Sequence, residues 1–360
     1  MNRLQVHPSQ LKPGCLLIED VMGNTLKPII PRNTVIQPLH IEVLQAFLIE
    51  EVEVSTRLAN GDKFEPNQKV QKNEEEIKKE GVLDLYFHSV NKTREMFKHW
   101  QGGKSIDIQA VRNHFVPLVK AALKSPEVIF SFYHYAEKEQ YFYHHAVTVG
   151  IICSFLGKQL NLSEGDQIQV GLAGYFSDCG MAKIEPNLLK KEKSFTIEEL
   201  EIVKKHPVYS YRMIEHITAL KKEVKLAVLQ HHERLDGSGY PFQMDQNQIH
   251  LYSKIVSVAD VFHAMTCERS YKRKKSPFKV IEEMLHEEFG KLDLIVMQTL
   301  IKHLTNYSLG TKVKLSNSLL GEIVYIDSHA PTRPMVQLDY NKELVALGEH
   351  TDLYIEEILL

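Results

Sequence analysis

The fold of this 360-residue chain is limited most by its central stretch, from about Val82 to Tyr307. There apolar residues recur at helical spacing and no strand-like alternation intervenes. Leu83, Leu85, Phe87, Val90 and Met96 mark an amphipathic helix that stops near Gly102-Gly103. Ile108, Val111, Phe115, Leu118, Val119 and Leu123 mark a second, halted at Ser125-Pro126. Two later helix starts read as capping boxes, Ser163 ahead of Asp166 and Thr196 ahead of Glu199, each offering a side-chain acceptor to unpaired backbone N–H groups. The pattern predicts an all-α domain over residues 105–307.

The flanks differ in texture. Residues 1–66 read as a small α+β unit, with an apolar run at Cys15–Ile18, a helical stretch through Ile41–Phe47 and a strand at Val52–Val54. Residues 67–104 read as a linker and helix. Residues 308–360 read as an all-β unit, because Thr311–Leu315 and Glu322–Ile326 alternate and Val336–Leu338 and Leu353–Ile355 are strand-like. The whole is a mainly α chain with small mixed and β flanks.

Composition narrows the function. Lys and Arg total 43 against 46 Asp and Glu, for a net charge of -3. No broad basic footprint for nucleic acid or anionic membrane follows, so a phosphate-bearing ligand must be caught locally. Cys15, Cys153, Cys179 and Cys267 are far apart and form no CxxC pair, which fits a reducing compartment. The N-terminus lacks a signal-peptide layout, and the longest apolar run, near Val147–Leu156, is about half the ~20 residues that span a bilayer. A cytoplasmic protein without membrane insertion is expected.

Several polar residues stand where core is predicted. Asp260 interrupts Ile255–Phe262, so it either pairs with an Arg, caps a helix or ligates a metal. His231 and His232 are adjacent and cannot share a helix face; they converge only if the helix ends there, as Asp236–Pro241 suggests. His206 precedes Pro207, where a helix must kink or stop. His145 lies in an aromatic segment, and Asp178 follows the helix launched by Ser163. Each can be read as a packed or surface residue. Histidines and aspartates spread over separate helices are also what a dinuclear metal centre in a bundle requires.

The string His231-His232-Glu233-Arg234-Leu235-Asp236-Gly237-Ser238-Gly239-Tyr240-Pro241 matches HHExxDGxGYP and resembles the HD-GYP domains, a bacterial subgroup of the HD metal-dependent phosphohydrolases. Matches at His145-Ala146-Val147, Lys204–Pro207 and Val258–Met265, followed by Arg269 and Tyr271, extend it over residues 106–275. The resemblance implies a helical HD bundle that hydrolyses cyclic di-GMP, a second messenger, to pGpG or GMP in signal transduction. It implies one or two divalent ions, Fe, Mn or Zn, held by His145, Asp178, His206, His231, His232 and Asp260, with Asp178 bridging. It implies phosphate binding by Arg269 and Lys272, with Tyr240 beside the ligand. Protein signalling partners and a homodimer stay open.

The chain departs from that pattern at three places. The name-giving His-Asp pair reads Ser177-Asp178, the Lys expected three residues after the Asp is Met181, and the Glu found in some members four residues before the first His is Tyr141. A serine hydroxyl is a poor ligand and a thioether donates nothing to phosphate. Lys183 is the nearest basic substitute. Weak hydrolysis is therefore expected, the alternative being an inactive module that binds cyclic di-GMP or a protein.

Overall fold

The structure, a computed structural model, describes residues 3–6, 8–22, 28–46, 49, 51–64, 74–136, 138–189, 191, 193–267, 275–305, 309–327, 330–350 and 352–359. The chain divides into two compact units, Met1–Ile77 and Lys78–Leu360. In the first, β1 (Arg3–Val6), β2 (Val21–Met22), β3 (Pro28–Ile30), α1 (Pro38–Ala46) and β4 (Val52–Ser55) follow in order. β1 pairs antiparallel with β4, and β2 with β3. Val52 and Val54 alternate inward and meet Cys15, Leu17, Ile36 and Leu44 in a small core of their own.

Helices joined by turns and loops make up the central stretch, with no strand element among its described residues. α2 (Glu74–Gln101) ends at Gly102-Gly103, and α3 (Ile108–Ala122) starts where the Asp107 carboxylate accepts from Gln109 and Ala110 N–H groups. Ten residues of 3-10 helix, Pro126–Tyr135, lead to α4 (Tyr141–Gln159). α4 is buried on every side from His144 to Gly157, as a helix at the centre of a bundle must be. It packs against α5 (Glu164–Phe176) and, across the bundle, against α10 (Leu251–Thr266). Between them come α6 (Pro186–Leu189), α7 (Ile197–Val203), α8 (His206–Ile214) and α9 (Lys222–Gln230); α11 (Pro277–Glu287) and α12 (Leu294–Leu304) close the set. Tyr86, Phe115, Phe132, Phe155, Tyr175 and Phe176 are fully buried in one continuous core, each large side chain contributing on the order of 1.5–3 kcal/mol.

The two expected capping boxes differ. Thr196 and Glu199 form the reciprocal box. Ser163 accepts from Asp166 N–H and its hydroxyl donates to Asp166 Oδ2 (2.6 Å), while Asp166 Oδ1 accepts from the Lys221 ammonium (2.6 Å) and the Tyr252 hydroxyl (2.7 Å). The acid thus closes locally on the Ser163 hydroxyl rather than on its backbone N–H, and its other oxygen holds a charged tertiary partner.

At the C-terminal end, β5 (Lys312–Leu315), β6 (Leu320–Tyr325), β7 (Met335–Leu338), β8 (Leu344–Ala346) and β9 (Ile355–Leu359) form an antiparallel sheet in the order β8-β7-β6-β5-β9. The last strand starts at Ile355 rather than at Leu353, and β8, with an exposed or half-buried face throughout, carries no alternation to announce it. Phe278 of α11 completes the apolar core of this sheet, and Arg333 grips Glu282 of α11.

Candidate metal centre

Six side chains from five helices and their ends converge. His145 lies on the first turns of α4, and Asp178 lies two residues beyond α5. His206 opens α8, where Pro207 sets the first turn without a lost hydrogen bond. His231 caps α9 and His232 follows, so the chain leaves the helix and both imidazoles can turn to one place. Asp260 lies buried in the middle of α10. Gly180 has a specific task, since a Cβ there would overlap His206 O and Ser210 N; only glycine lets the Asp178 segment press against the start of α8.

One ligand atom from each of Asp178, His206, His231 and His232 lies within 4.8 Å of the others. Asp178 Oδ1 is 3.1 Å from His206 Nε2 and 3.5 Å from His231 Nε2. Its other oxygen, Oδ2, is 3.6 Å from His145 Nε2, which is itself 3.0 Å from Asp260 Oδ1. His232 Nδ1 is 3.8 Å from Asp260 Oδ2. The two carboxylates thus link two groups of imidazoles, with Asp178 shared.

The donor set fits divalent cations. His145 Nε2 and Asp178 Oδ1 are buried without a hydrogen-bond partner among the described residues, an expensive arrangement unless something else satisfies them. Burial pushes the Asp178 carboxyl up, but the histidines beside it, His206 first, then His231 and His145, outweigh this and hold it well below the usual range. For Asp260, burial is likewise outweighed by His145 and His232. Burial, reinforced by His231, holds the His232 imidazole well below its usual range and so neutral, as a ligand must be. Imidazole and carboxylate together suit Fe, Mn or Zn.

Tyr240 stacks on the His232 ring, with centroids 4.6 Å apart, and its backbone N–H donates to His232 O. Its loop is held by a residue whose role the sequence did not disclose. The buried Glu233 carboxylate accepts from Phe242 N–H (2.7 Å) and Met244 N–H (3.0 Å). A buried acid directly before a loop was the available signal, since it must find donors. Gly239 is required where the loop crosses the helix end, because a Cβ would overlap Glu233 Cα and Arg234 N. The sequence reading also passed over His263, which lies against His145 with Nδ1 atoms 3.0 Å apart.

The three departures have structural counterparts. Ser177 is fully buried and its hydroxyl donates to Gly174 O of α5, away from the cluster. Met181 packs against the apolar core. Lys183 does not replace the missing cation, for its ammonium donates to Trp100 O at 2.8 Å. Tyr141, one turn before His145, places its hydroxyl 3.0 Å from His145 Nδ1. Arg269 and Lys272 lie outside the described residues.

The HD domain family matches residues 134–294, which contain all six converging side chains. This part of the chain is similar to the HD domains. Among curated relatives, the cyclic di-GMP phosphodiesterase PA4108 of Pseudomonas aeruginosa is 29% identical over 246 residues, 68% of this chain and 59% of the relative's own length. The cyclic di-GMP phosphodiesterase PdeB of Borreliella burgdorferi is 27% identical over 310 residues, 85% of this chain and 80% of the relative. A solved structure, Bd1817, a HDG"Y"P protein from Bdellovibrio bacteriovorus, shares the fold with a TM-score of 0.50 at 15% identity, covering 85% of this chain and 100% of that one. Among the described residues, no helix is long and apolar enough to cross a membrane.

Proposed function

We propose that this chain is a metal-dependent phosphohydrolase of slow turnover, acting on cyclic di-GMP to yield pGpG or GMP in bacterial cytoplasmic signalling. The observation that carries the reading is the Asp178 carboxylate, which faces His206 and His231 with one oxygen and His145 with the other. A bridging carboxylate between two imidazole groups is what two neighbouring ions need. His206, His231, His232 and Asp178 would hold one ion, and His145, Asp178 and Asp260 the other. Bound there, divalent metal lowers the pKa of a coordinated water from about 15.7 toward about 7 and neutralises phosphate charge.

The chain's own residues do the rest. Asp178 and Asp260 compensate the cationic charge inside a largely buried site. Tyr240 covers one face of His232 and limits solvent there, and Arg269 and Lys272 would pair with phosphate oxygens. Slow turnover follows from the same site, because the Ser177 hydroxyl is spent on Gly174 O, Met181 packs against the apolar core and Lys183 is tied to Trp100. Those positions also favour a second reading, in which the chain binds cyclic di-GMP and signals by conformation alone.

The deciding experiment measures metal content and cyclic dinucleotide hydrolysis in protein loaded anaerobically with iron or with manganese, with Asp178→Asn as control. Metal-dependent appearance of pGpG or GMP supports the hydrolase. Tight binding without product supports the second reading, and neither binding nor product from metal-loaded protein removes both.

A further inference from the structure

Resting on the reading that His145 ligates metal, we infer that His263 is the positioning residue that selects the metal-competent tautomer of His145. α10 presents Asp260, His263 and Cys267 at spacings of three and four residues, and so along one face. Asp260 meets His145 Nε2 at 3.0 Å, and His263 Nδ1 meets His145 Nδ1 at 3.0 Å. On its far side His263 Nε2 lies 3.3 Å from Cys267 Sγ. His145, His263 and Cys267 are all buried, at 0%, 1% and 0% exposure.

Two neutral proton arrangements satisfy the contacts between His145, His263 and Cys267. In one, His263 carries its proton on Nε2, directed at the Cys267 sulfur, and its bare Nδ1 accepts from His145 Nδ1–H. His145 Nε2 then keeps its lone pair free toward the carboxylates, where an ion would sit. In the other, the Cys267 thiol donates to His263 Nε2, His263 Nδ1–H donates to His145 Nδ1, and His145 Nε2–H points at Asp260. That arrangement closes the site to metal at Nε2. Tyr141 OH, 3.0 Å from the same Nδ1, shares that nitrogen's single N–H or lone pair with His263, accepting in the first arrangement and donating in the second. A ligating imidazole normally gives its second N–H to a carboxylate, carbonyl or water, and loss of that partner costs 10–100-fold in metal affinity. Here a second imidazole takes that place, and because it can switch tautomer it sets how often His145 is open to the ion.

The test compares replacements that differ in where they put a polar atom. Asn at 263 keeps one near the Nδ1 position, Gln moves it to the Nε2 side, and both remain polar enough for a buried site. Mn(II) stoichiometry and affinity would be measured by plasma mass spectrometry after equilibrium dialysis, alongside Co(II) absorption spectra and apo-protein melting. His263→Asn is expected to keep near-wild-type affinity for the ion on the His145 side. His263→Gln and His263→Leu are expected to weaken it by on the order of 10–100-fold, with the His206–His231 side still loaded. Equal affinity in all three variants, while His145→Ala loses the ion, overturns the role of His263 alone. Equal loss in Asn and Gln overturns it too, since packing rather than nitrogen position would then decide. Wild-type metal content in His145→Ala overturns the underlying assignment of His145 as a ligand.

Discussion

Asp178→Asn separates metal binding from folding most cleanly. The substitution keeps the size of the side chain and replaces one anionic oxygen of a carboxylate that is 13% exposed and shared by three histidines. With metal at a hundred times its Kd, binding to the native state alone adds about 2.7 kcal/mol. For a unit of this size each kcal/mol moves Tm by about 2–4 °C, so loading the wild type should raise Tm by roughly 5–10 °C. If the charge loss weakens binding a hundredfold, the same metal concentration equals Kd and the gain falls to about 0.4 kcal/mol. Tm should then rise by about 1 °C. The assay is a melting series of chelator-treated protein titrated with Mn(II), each variant referred to its own apo form, so that any change in apo stability cancels. Metal content by plasma mass spectrometry runs in parallel. A full wild-type rise in Asp178→Asn would refute the view that this carboxylate anchors the metal.

Three further outcomes are expected. Ser177→His with Met181→Lys should raise cyclic di-GMP turnover by on the order of 10²-fold, as restored charge-stabilising donors do, while overpacking the buried Ser177 position costs about 1–3 kcal/mol in urea melts; unchanged turnover in folded double variant counts against it. Gly180→Ala should cost roughly 1–3 kcal/mol, since the added Cβ meets backbone at His206 and Ser210, and it should weaken metal retention; wild-type values in both measurements would show that the segment shifts freely. His114, buried with Nδ1 on Ser89 Oγ and Nε2 without a partner among the described residues, is held by burial at a pKa of about 4 against 6.5 when free. Its lowered value means the unfolded chain takes up the proton first, so stability is intact above pH 6.5 and falls by about 3 kcal/mol as pH drops toward 4. Urea unfolding against pH should show a shallower fall in His114→Gln, and an identical slope would refute this account.

The sequence alone determined the helical domain, because Val111, Phe115, Leu118 and Val119 repeat at helical period and any helix with that stripe must bury it. It also singled out Asp260, His231 and His232 as polar residues in or beside apolar stretches. An acid inside Ile255–Phe262 and two histidines at a helix end are costly in a core, and their cost marks them. What periodicity reports is which face is buried, not which distant group that face meets. His263 and His145 are 118 positions apart, and no local pattern joins them. Glu233 reads as an ordinary charge until the loop at Phe242 and Met244 folds back to donate to it. The same holds where local rules mislead, as at Asp166, whose carboxylate takes the Ser163 hydroxyl, Lys221 and Tyr252 rather than the Ser163 backbone N–H, and at Lys183, whose charge is spent on Trp100 O. A buried polar group takes whichever partner the packed core leaves within about 3 Å, and that choice exists only after the chain has folded.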